Sequence, residues 1–298
     1  MHERTGAPRS WNVEQLLETI SEKDLQNIAL PRNPPAGADL PPLQLLSMTI
    51  RAACQALPPG LDEEEFVKRH LEHLLWIRQR TAAWRAVAAG APVPPRLSIS
   101  MSGQHHVGPT TGAPTILLTP MILPYEDALW FAREAFVGRP LVVYGEGLTR
   151  EDVFNRVHKA FQLDELVLAR TPRDIIGALE RGGILLTYPD FVYKGHKVCY
   201  VQCLGRRWPV SAAFIGLCAR PGTLLLPVRI QREGTHVFSH FEAPVRLSLP
   251  EGSRRARGWE RLLTGAVVGR QLEALLLANP TQWQLLSTLV AHCDQRGE

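Results

Sequence analysis

The sequence predicts an α/β fold in which a mixed, mostly parallel sheet is covered by helices on both faces. Three observations support this prediction. Short apolar runs recur from residue 97 onward, and segments with helical spacing fit between several of them. The runs are continuous rather than alternating, which is typical of strands that are buried on both faces. With 45% hydrophobic and 21% charged residues, the chain of 298 residues can bury such a core.

The first 95 residues are predicted to be a helical section that precedes the sheet. Apolar residues recur at helical spacing over residues 12–25 and 43–57 and from residue 62 to about 89. The proline-rich segment LPRNPPAGADLPP separates the first two helices, and GAPVPPR follows the third. We therefore expect two sections, residues 1–95 and 96–298, which together form one compact unit.

The sheet section contains eight predicted strands and several predicted helices. The strands are expected at residues 97–101, 115–119, 140–145, 165–169, 182–189, 197–205, 223–230 and 236–247. Helices are expected at residues 125–137, 150–161, 171–181 and 209–219, with a closing pair at 259–277 and 281–292. Strands that alternate with helices favour parallel pairing. In such sheets the functional groups collect at the carboxyl ends of the strands.

Composition and the absence of common motifs exclude several classes of function. The net charge of +4 is mild and the basic residues are scattered, so nucleic-acid binding is not expected. The sequence has no G-x-G-x-x-G or phosphate loop, and its serines lack the spacing of a nucleophile elbow. Five cysteines form no paired framework or zinc set, which favours reduced thiols and no bound metal. A polar start and no long apolar stretch predict a cytoplasmic protein with at most peripheral membrane contact.

Polar residues near the predicted strand ends are the candidates for chemistry. Asp190 directly follows an apolar strand and a proline, where functional groups of α/β sheets collect. A turn-forming aspartate is the alternative interpretation. His105 and His106 lie in the loop GQHHVG after strand 97–101, and we expect this loop to reach the strand-end face beside Glu126. A polar loop pair without a role is the alternative for the two histidines.

Four blocks, in order along the chain, resemble the lipid A lauroyl/myristoyl acyltransferase family, a branch of the lysophospholipid acyltransferase-like proteins. The likeness covers residues 40–290. The longest block, residues 179–230, has a Gly-Gly turn, a strand that ends in Pro189 and Asp190, and a second strand that ends in Pro227. The other blocks are MILPYEDALW (121–130), THVFSHFEAPVRL (235–247) and NPTQWQLL (279–286).

The resemblance implies transfer of a fatty acyl group from a carrier-protein or coenzyme A thioester to a hydroxyl or an amine. Family members open the first block with a histidine that acts as general base, and an acidic residue five places later orients it. Met121 stands in the histidine place of this chain, and Glu126 stands in the acidic place. A thioether accepts no proton at neutral pH. Loss of a positioned base costs about 10²–10⁴ in rate, or roughly 3–5 kcal/mol.

Three interpretations of Met121 stay open. In the first, the enzyme is active and His105 or His106 replaces the missing base. In the second, the enzyme works by positioning, with an amine nucleophile and with Glu126 or Asp190 as proton acceptor. In the third, the fold is a non-catalytic binding or scaffold subunit, and Met121 fills the former cavity.

The resemblance also suggests what the site would bind. We expect Met121 and Tyr125 to contact the substrate, and Lys194 and Arg229 to bind the phosphates of coenzyme A or phosphopantetheine, with solvated surface charge as the alternative. No cofactor is expected beyond this donor substrate. Lipid-acylating relatives usually carry an apolar N-terminal anchor, whereas this chain begins with an amphipathic helical region. The expected partners are therefore an acyl or peptidyl carrier protein and a soluble small-molecule acceptor, as in secondary metabolism.

Overall fold

The computed structural model describes residues 42–55, 57, 60, 62–144, 155, 160–161, 166–169, 171–190, 198–246 and 256–286. The helix predicted at residues 12–25, most of the helix predicted at 150–161, and the closing helix beyond residue 286 lie outside these residues. By its internal contacts the chain divides into two compact units. One comprises Met1–Arg78 and Gln284–Glu298, and the other comprises Gln79–Trp283.

Two helices account for most of the described part of the first unit. Helix α1 covers Pro42–Gln55, and helix α2 covers Glu63–Ala88, of which the portion up to Arg78 belongs to this unit. Asp62 begins α2, because its Oδ1 accepts a hydrogen bond from the main-chain nitrogen of Glu65 at 2.9 Å. Three glutamates in the first turn of α2 favour the same start, since negative charge is stabilised at a helix N-terminus.

The division between the units falls inside α2, and the predicted sections 1–95 and 96–298 stay a prediction. The last part of α2 belongs to the second unit because it is bonded there. Arg80 and Trp84 both donate hydrogen bonds to the carboxylate of Asp127. By internal contacts, the first unit therefore ends at Arg78, before the Pro-rich segment that follows α2.

The second unit contains ten strands among its described residues. They are β1 (Ser98–Ser102), β2 (Thr115–Leu118), β3 (Leu141–Tyr144), β4 (Leu166–Ala169), β5 (Ile184–Thr187), β6 (Val198–Cys203), β7 (Arg206–Ser211), β8 (Leu224–Glu233), β9 (His236–Phe241) and β10 (Val245–Arg246). Each of the eight predicted strands overlaps at least one of them. The predicted strand at 236–247 is divided into β9 and β10, because residues between them leave the extended ladder.

The main sheet is mixed and mostly parallel, which confirms the predicted fold class. Its order is β1-β9-β8-β2-β5-β3-β4, and β10 also pairs with β8. The strands β8, β2, β5, β3 and β4 follow one another in this order, and each adjacent pair among them is parallel. Strand β9 is antiparallel to β8, and β1 is parallel to β9. Strand β1 therefore runs in the direction opposite to β2.

The second unit also contains the helices α3 (Tyr125–Ala135), α4 (Pro172–Glu180), α5 (Ala212–Cys218) and α6 (Ala256–Ala278) among its described residues. Helix α4 begins with a capping box in which Thr171 and Asp174 bond each other's main chain. Helix α3 packs against β3 and β5, and α6 packs against β6 and β8. A short 3₁₀ turn, Pro280–Gln282, follows α6, where the sequence predicted the start of a helix.

The helix predicted at residues 209–219 is shorter in the structure because a strand occupies its first part. Strand β7 pairs antiparallel with β6 as a hairpin. Leu204 and Gly205 form its two-residue turn with φ values of 53° and 68°, the left-handed geometry that a tight hairpin needs. Ser211 then caps α5 by accepting a hydrogen bond from the main chain of Phe214.

No helix among these described residues is long and apolar enough to cross a membrane.

The contact between α6 and β6 gives a stability prediction. A Cβ atom added at Gly269 would lie 2.3 Å from the main-chain oxygen of Gln202, whereas one added at Gly265 would lie 3.6 Å from a methyl group of Val201. We expect Gly269→Ala to destabilise the protein by about 1–3 kcal/mol, because helix and strand must move apart. Gly265→Ala is the matched control and should be neutral or stabilising by about 0.5–1 kcal/mol. Equal urea unfolding midpoints for the two variants would contradict this packing.

Candidate active site

The neighbouring strands β2 and β5 bring Met121 and Asp190 together. The two strands are parallel and in register, so their carboxyl ends lie at the same edge of the sheet. Each residue comes three positions after the end of its strand. The main-chain nitrogen of Met121 donates a hydrogen bond of 2.9 Å to Oδ2 of Asp190. The sequence placed both residues at this edge, but it did not predict this bond.

Asp190 is completely buried. Its Oδ2 also accepts a hydrogen bond of 2.6 Å from the indole nitrogen of Trp283. Its Oδ1 has no hydrogen-bond partner in the described part of the chain. Burial raises the pKa of Asp190 to about 6, although the hydrogen bonds from Met121, Trp283 and its own main chain oppose this shift. The carboxyl group therefore changes its charge near neutral pH.

Met121 itself is half-buried. The bond to Asp190 uses the main chain of Met121, which any residue except proline could supply. The side chain is therefore free to vary without loss of this contact. Its expected role in contacting a substrate stays a prediction.

Two acidic residues begin α3, and the structure gives them different surroundings. Asp127 is buried and pairs with Arg80 through two hydrogen bonds of 2.9 and 2.7 Å, while Trp84 donates a third of 3.1 Å. This set of bonds makes Asp127 a structural residue, a role that the sequence analysis missed. A carboxylate with an arginine 47 positions away carries no local sequence signal. Glu126 is also buried, with 4% of its surface exposed, and its predicted catalytic role stays a prediction.

Two tyrosines lie in the same part of the molecule. The rings of Tyr125 and Tyr188 are 5.8 Å apart and meet edge to face. The hydroxyl of Tyr188 donates a hydrogen bond of 3.3 Å to the main-chain oxygen of Leu123. Burial, followed by the neighbouring Tyr125, Asp190 and Glu126, raises the pKa of Tyr188 well above its ordinary value. Tyr188 is therefore a neutral phenol, and it was not among the residues chosen from the sequence.

The expected placement of His105 and His106 beside Glu126 stays a prediction. They follow β1, which runs opposite to β2, but the register through β9 and β8 starts this loop at the level of the carboxyl end of β2. Strands β9 and β8 also lie between β1 and β2. The rings of the two histidines contact each other, with centroids 3.9 Å apart.

The two basic residues expected to bind phosphate have different outcomes. Lys194 lies outside the described residues. Arg229 is exposed on β8, and its Nε pairs with the carboxylate of Glu242 at 2.5 Å. Its role toward a phosphate stays a prediction.

No group of three or more His, Cys, Asp or Glu side chains is arranged to hold a metal ion in the part of the chain that the structure describes.

Comparisons with known proteins find a distant structural likeness. No protein-family model and no curated protein sequence matches this chain. Among solved structures, the chain is similar to the 1-acyl-sn-glycerophosphate (LPA) acyltransferase PlsC from Thermotoga maritima, with a TM-score of 0.36 and 15% sequence identity. The match covers 78% of this chain and 97% of that one. A likeness this distant assigns neither a residue nor an activity.

The raised pKa of Asp190 predicts how stability depends on pH. An unfolded aspartate titrates near 3.9, so the folded protein binds this proton more tightly. The stability that Asp190 contributes is present below pH 4 and is lost as the pH rises through 6. The loss amounts to about 3 kcal/mol, because the pKa changes by about two units.

Asp190→Asn removes this titration. We expect the variant to gain about 3 kcal/mol relative to wild type between pH 4 and pH 7.5. Urea unfolding of both proteins at several pH values measures the difference, and any pH-independent cost of the amide cancels. Parallel curves of unfolding free energy against pH would show that Asp190 has an ordinary pKa.

Proposed function

We propose that this chain is an acyltransferase-like enzyme that holds an acyl thioester at the carboxyl ends of β2 and β5 and transfers the acyl group to an amine of a soluble acceptor. The observation that carries the proposal is Asp190. Its carboxyl group is buried, has a pKa of about 6, and has one oxygen without a hydrogen bond in the described part of the chain. Strongly shifted carboxyl groups at strand ends are typical of acid–base catalysts.

The proposed reaction is aminolysis of a thioester. The amine nitrogen attacks the carbonyl carbon and forms the new carbon–nitrogen bond. The carbon–sulfur bond then breaks, and the acyl group stays on nitrogen. Asp190 takes the proton that the nitrogen loses and passes it to the leaving thiolate. A carboxylate with a raised pKa suits this exchange because it both accepts and returns a proton near neutral pH.

An amine is favoured over a hydroxyl as the acceptor because of Met121. A neutral amine attacks without first losing a proton, whereas a hydroxyl needs a base as it attacks. Met121 supplies no base. Positioning of donor and amine at the same edge then contributes most of the rate enhancement.

The donor is proposed to be coenzyme A or a carrier-protein thioester. Tyr125 and Met121 are both half-buried and follow β2, so they are the side chains we propose to contact the acyl thioester. Lys194 and Arg229 are proposed to bind the phosphate groups of the pantetheine arm. Glu126 is proposed as a second carboxylate of the site.

A second candidate is a non-catalytic binding or scaffold subunit of a biosynthetic complex. The full burial of Asp190 favours it, because a carboxyl group without exposed surface exchanges protons only if the site opens. The ion pair of Asp127 favours it too, since this carboxylate serves stability. The two candidates differ in one measurable property, namely turnover of a thioester.

The main experiment is mass spectrometry of acyl-coenzyme A and acyl-carrier thioesters incubated with the protein and a panel of amines and alcohols. We expect amide products, and we expect Asp190→Asn to lower their rate of formation by about 10²–10⁴. His106→Ala tests the alternative base from the loop after β1, and an unchanged rate would exclude His106 from that role. If wild type and both variants bind the thioester without turning it over, the chain is a binding or scaffold subunit.

A gain-of-function variant tests the place of Met121. Met121→His keeps the main-chain bond to Asp190 and adds an imidazole five positions before Glu126. We expect it to raise acylation of alcohols by about 10²–10⁴, because a hydroxyl needs the general base that the thioether cannot provide. Met121→Leu is the matched control of similar volume and should not change alcohol acylation. Equal alcohol rates for the His and Leu variants would remove Met121 from the site.

A further inference from the structure

The residues Gln282 and Trp283 follow α6 and connect β8 with Asp190. The side-chain amide of Gln282 bonds the main chain of Arg232 in both directions. The main-chain nitrogen of Arg232 donates to its Oε1 at 2.8 Å, and its Nε2 donates to the main-chain oxygen of Arg232 at 2.7 Å. This amide thus takes the place of a neighbouring strand beside β8, and it fixes the backbone just before Trp283.

Trp283 is almost completely buried. Its ring packs against that of Trp208, with centroids 5.8 Å apart. Its indole nitrogen lies 2.6 Å from Oδ2 of Asp190, the shorter of the two hydrogen bonds from other residues to that oxygen. The indole of Trp208, in contrast, has no hydrogen-bond partner among the described residues.

We propose that Trp283 is a positioning residue for Asp190, and that it holds Oδ2 so that Oδ1 is the oxygen that exchanges a proton with the reacting amine. Gln282 in turn positions Trp283. The inference rests on the proposed function, because it assigns an orientation to the carboxyl group that the reaction uses.

The charge around Asp190 makes this bond important. The ionisable groups that interact electrostatically with it are Tyr188 and Cys203 on β6. Neither is a cation, and Asp190 forms no ion pair within the described residues. Among these residues its ionised form is stabilised by hydrogen bonds from Met121, Trp283 and the main chain of Asp190 itself. Removal of the indole bond should raise the pKa of Asp190.

The test compares Trp283→Phe with Trp208→Phe. Trp283→Phe removes the bonded indole N–H, so we expect the acid limb of the pH–rate profile to move up by about one pH unit. The loss of rate should consequently be larger at pH 6 than at pH 8. Trp208→Phe removes a neighbouring indole without this bond and should leave the acid limb in place. A purely structural role of Trp283 would lower the rate equally at all pH values, and that result would overturn the inference.

A second readout keeps the test independent of turnover. The pH dependence of unfolding free energy, taken as the difference between each protein and its Asp190→Asn version, reports the pKa of Asp190 directly. Trp283→Phe should move this titration upward, and an unmoved titration would overturn the inference. If wild type shows no transfer but the titration moves, the proposed function fails and the positioning of Asp190 by Trp283 stands.

Gln282→Ala covers the case in which Trp283→Phe does not fold. It keeps the indole but removes two hydrogen bonds to β8, so the titration of Asp190 should move in the same direction by a smaller amount. No movement in Gln282→Ala, with a folded protein, would count against a role for Gln282 in positioning Trp283.

Discussion

The burial of one carboxyl group organises the candidate site. Asp190 lies three positions after β5, and its Oδ2 joins the segment after β2 to the segment after α6. Burying a carboxylate without a cation is costly, and two hydrogen bonds from neighbouring segments offset only part of that cost. A pKa of about 6 is the result. The hydrogen bonds that hold these segments together therefore also influence the pKa of Asp190.

Two buried aspartates, Asp127 and Asp190, show how the surroundings of a carboxylate separate a structural role from a reactive one. Asp127 faces Arg80 and Trp84, and three hydrogen bonds saturate its two oxygens. Removing a partner from such a buried pair is far more costly than breaking an exposed one. Within the described residues, Asp190 has no cation beside it and keeps one oxygen without a hydrogen-bond partner. Of these two buried aspartates, Asp190 is therefore the one able to exchange a proton without dismantling the fold.

Much of the fold could be predicted from the sequence because its strands are short continuous apolar runs. The parallel core around β2 and β5 followed from this pattern, and so did the placement of Met121 and Asp190 at one edge. Strand direction outside the core did not follow, since an apolar run reads the same for either direction. The bond from Trp283 to Asp190 joins residues 93 positions apart, and no local pattern signals it.

The thioether of Met121 is compatible with catalysis only if the acceptor is already nucleophilic. A histidine at this position would act as a general base on an attacking hydroxyl, whereas the thioether cannot. In the proposal, Asp190 with its pKa of about 6 takes the proton from an amine once the carbon–nitrogen bond has formed, because the attacking nitrogen is then cationic. The same protein should therefore discriminate between amines and alcohols through the residue at position 121, without any difference in how it binds them.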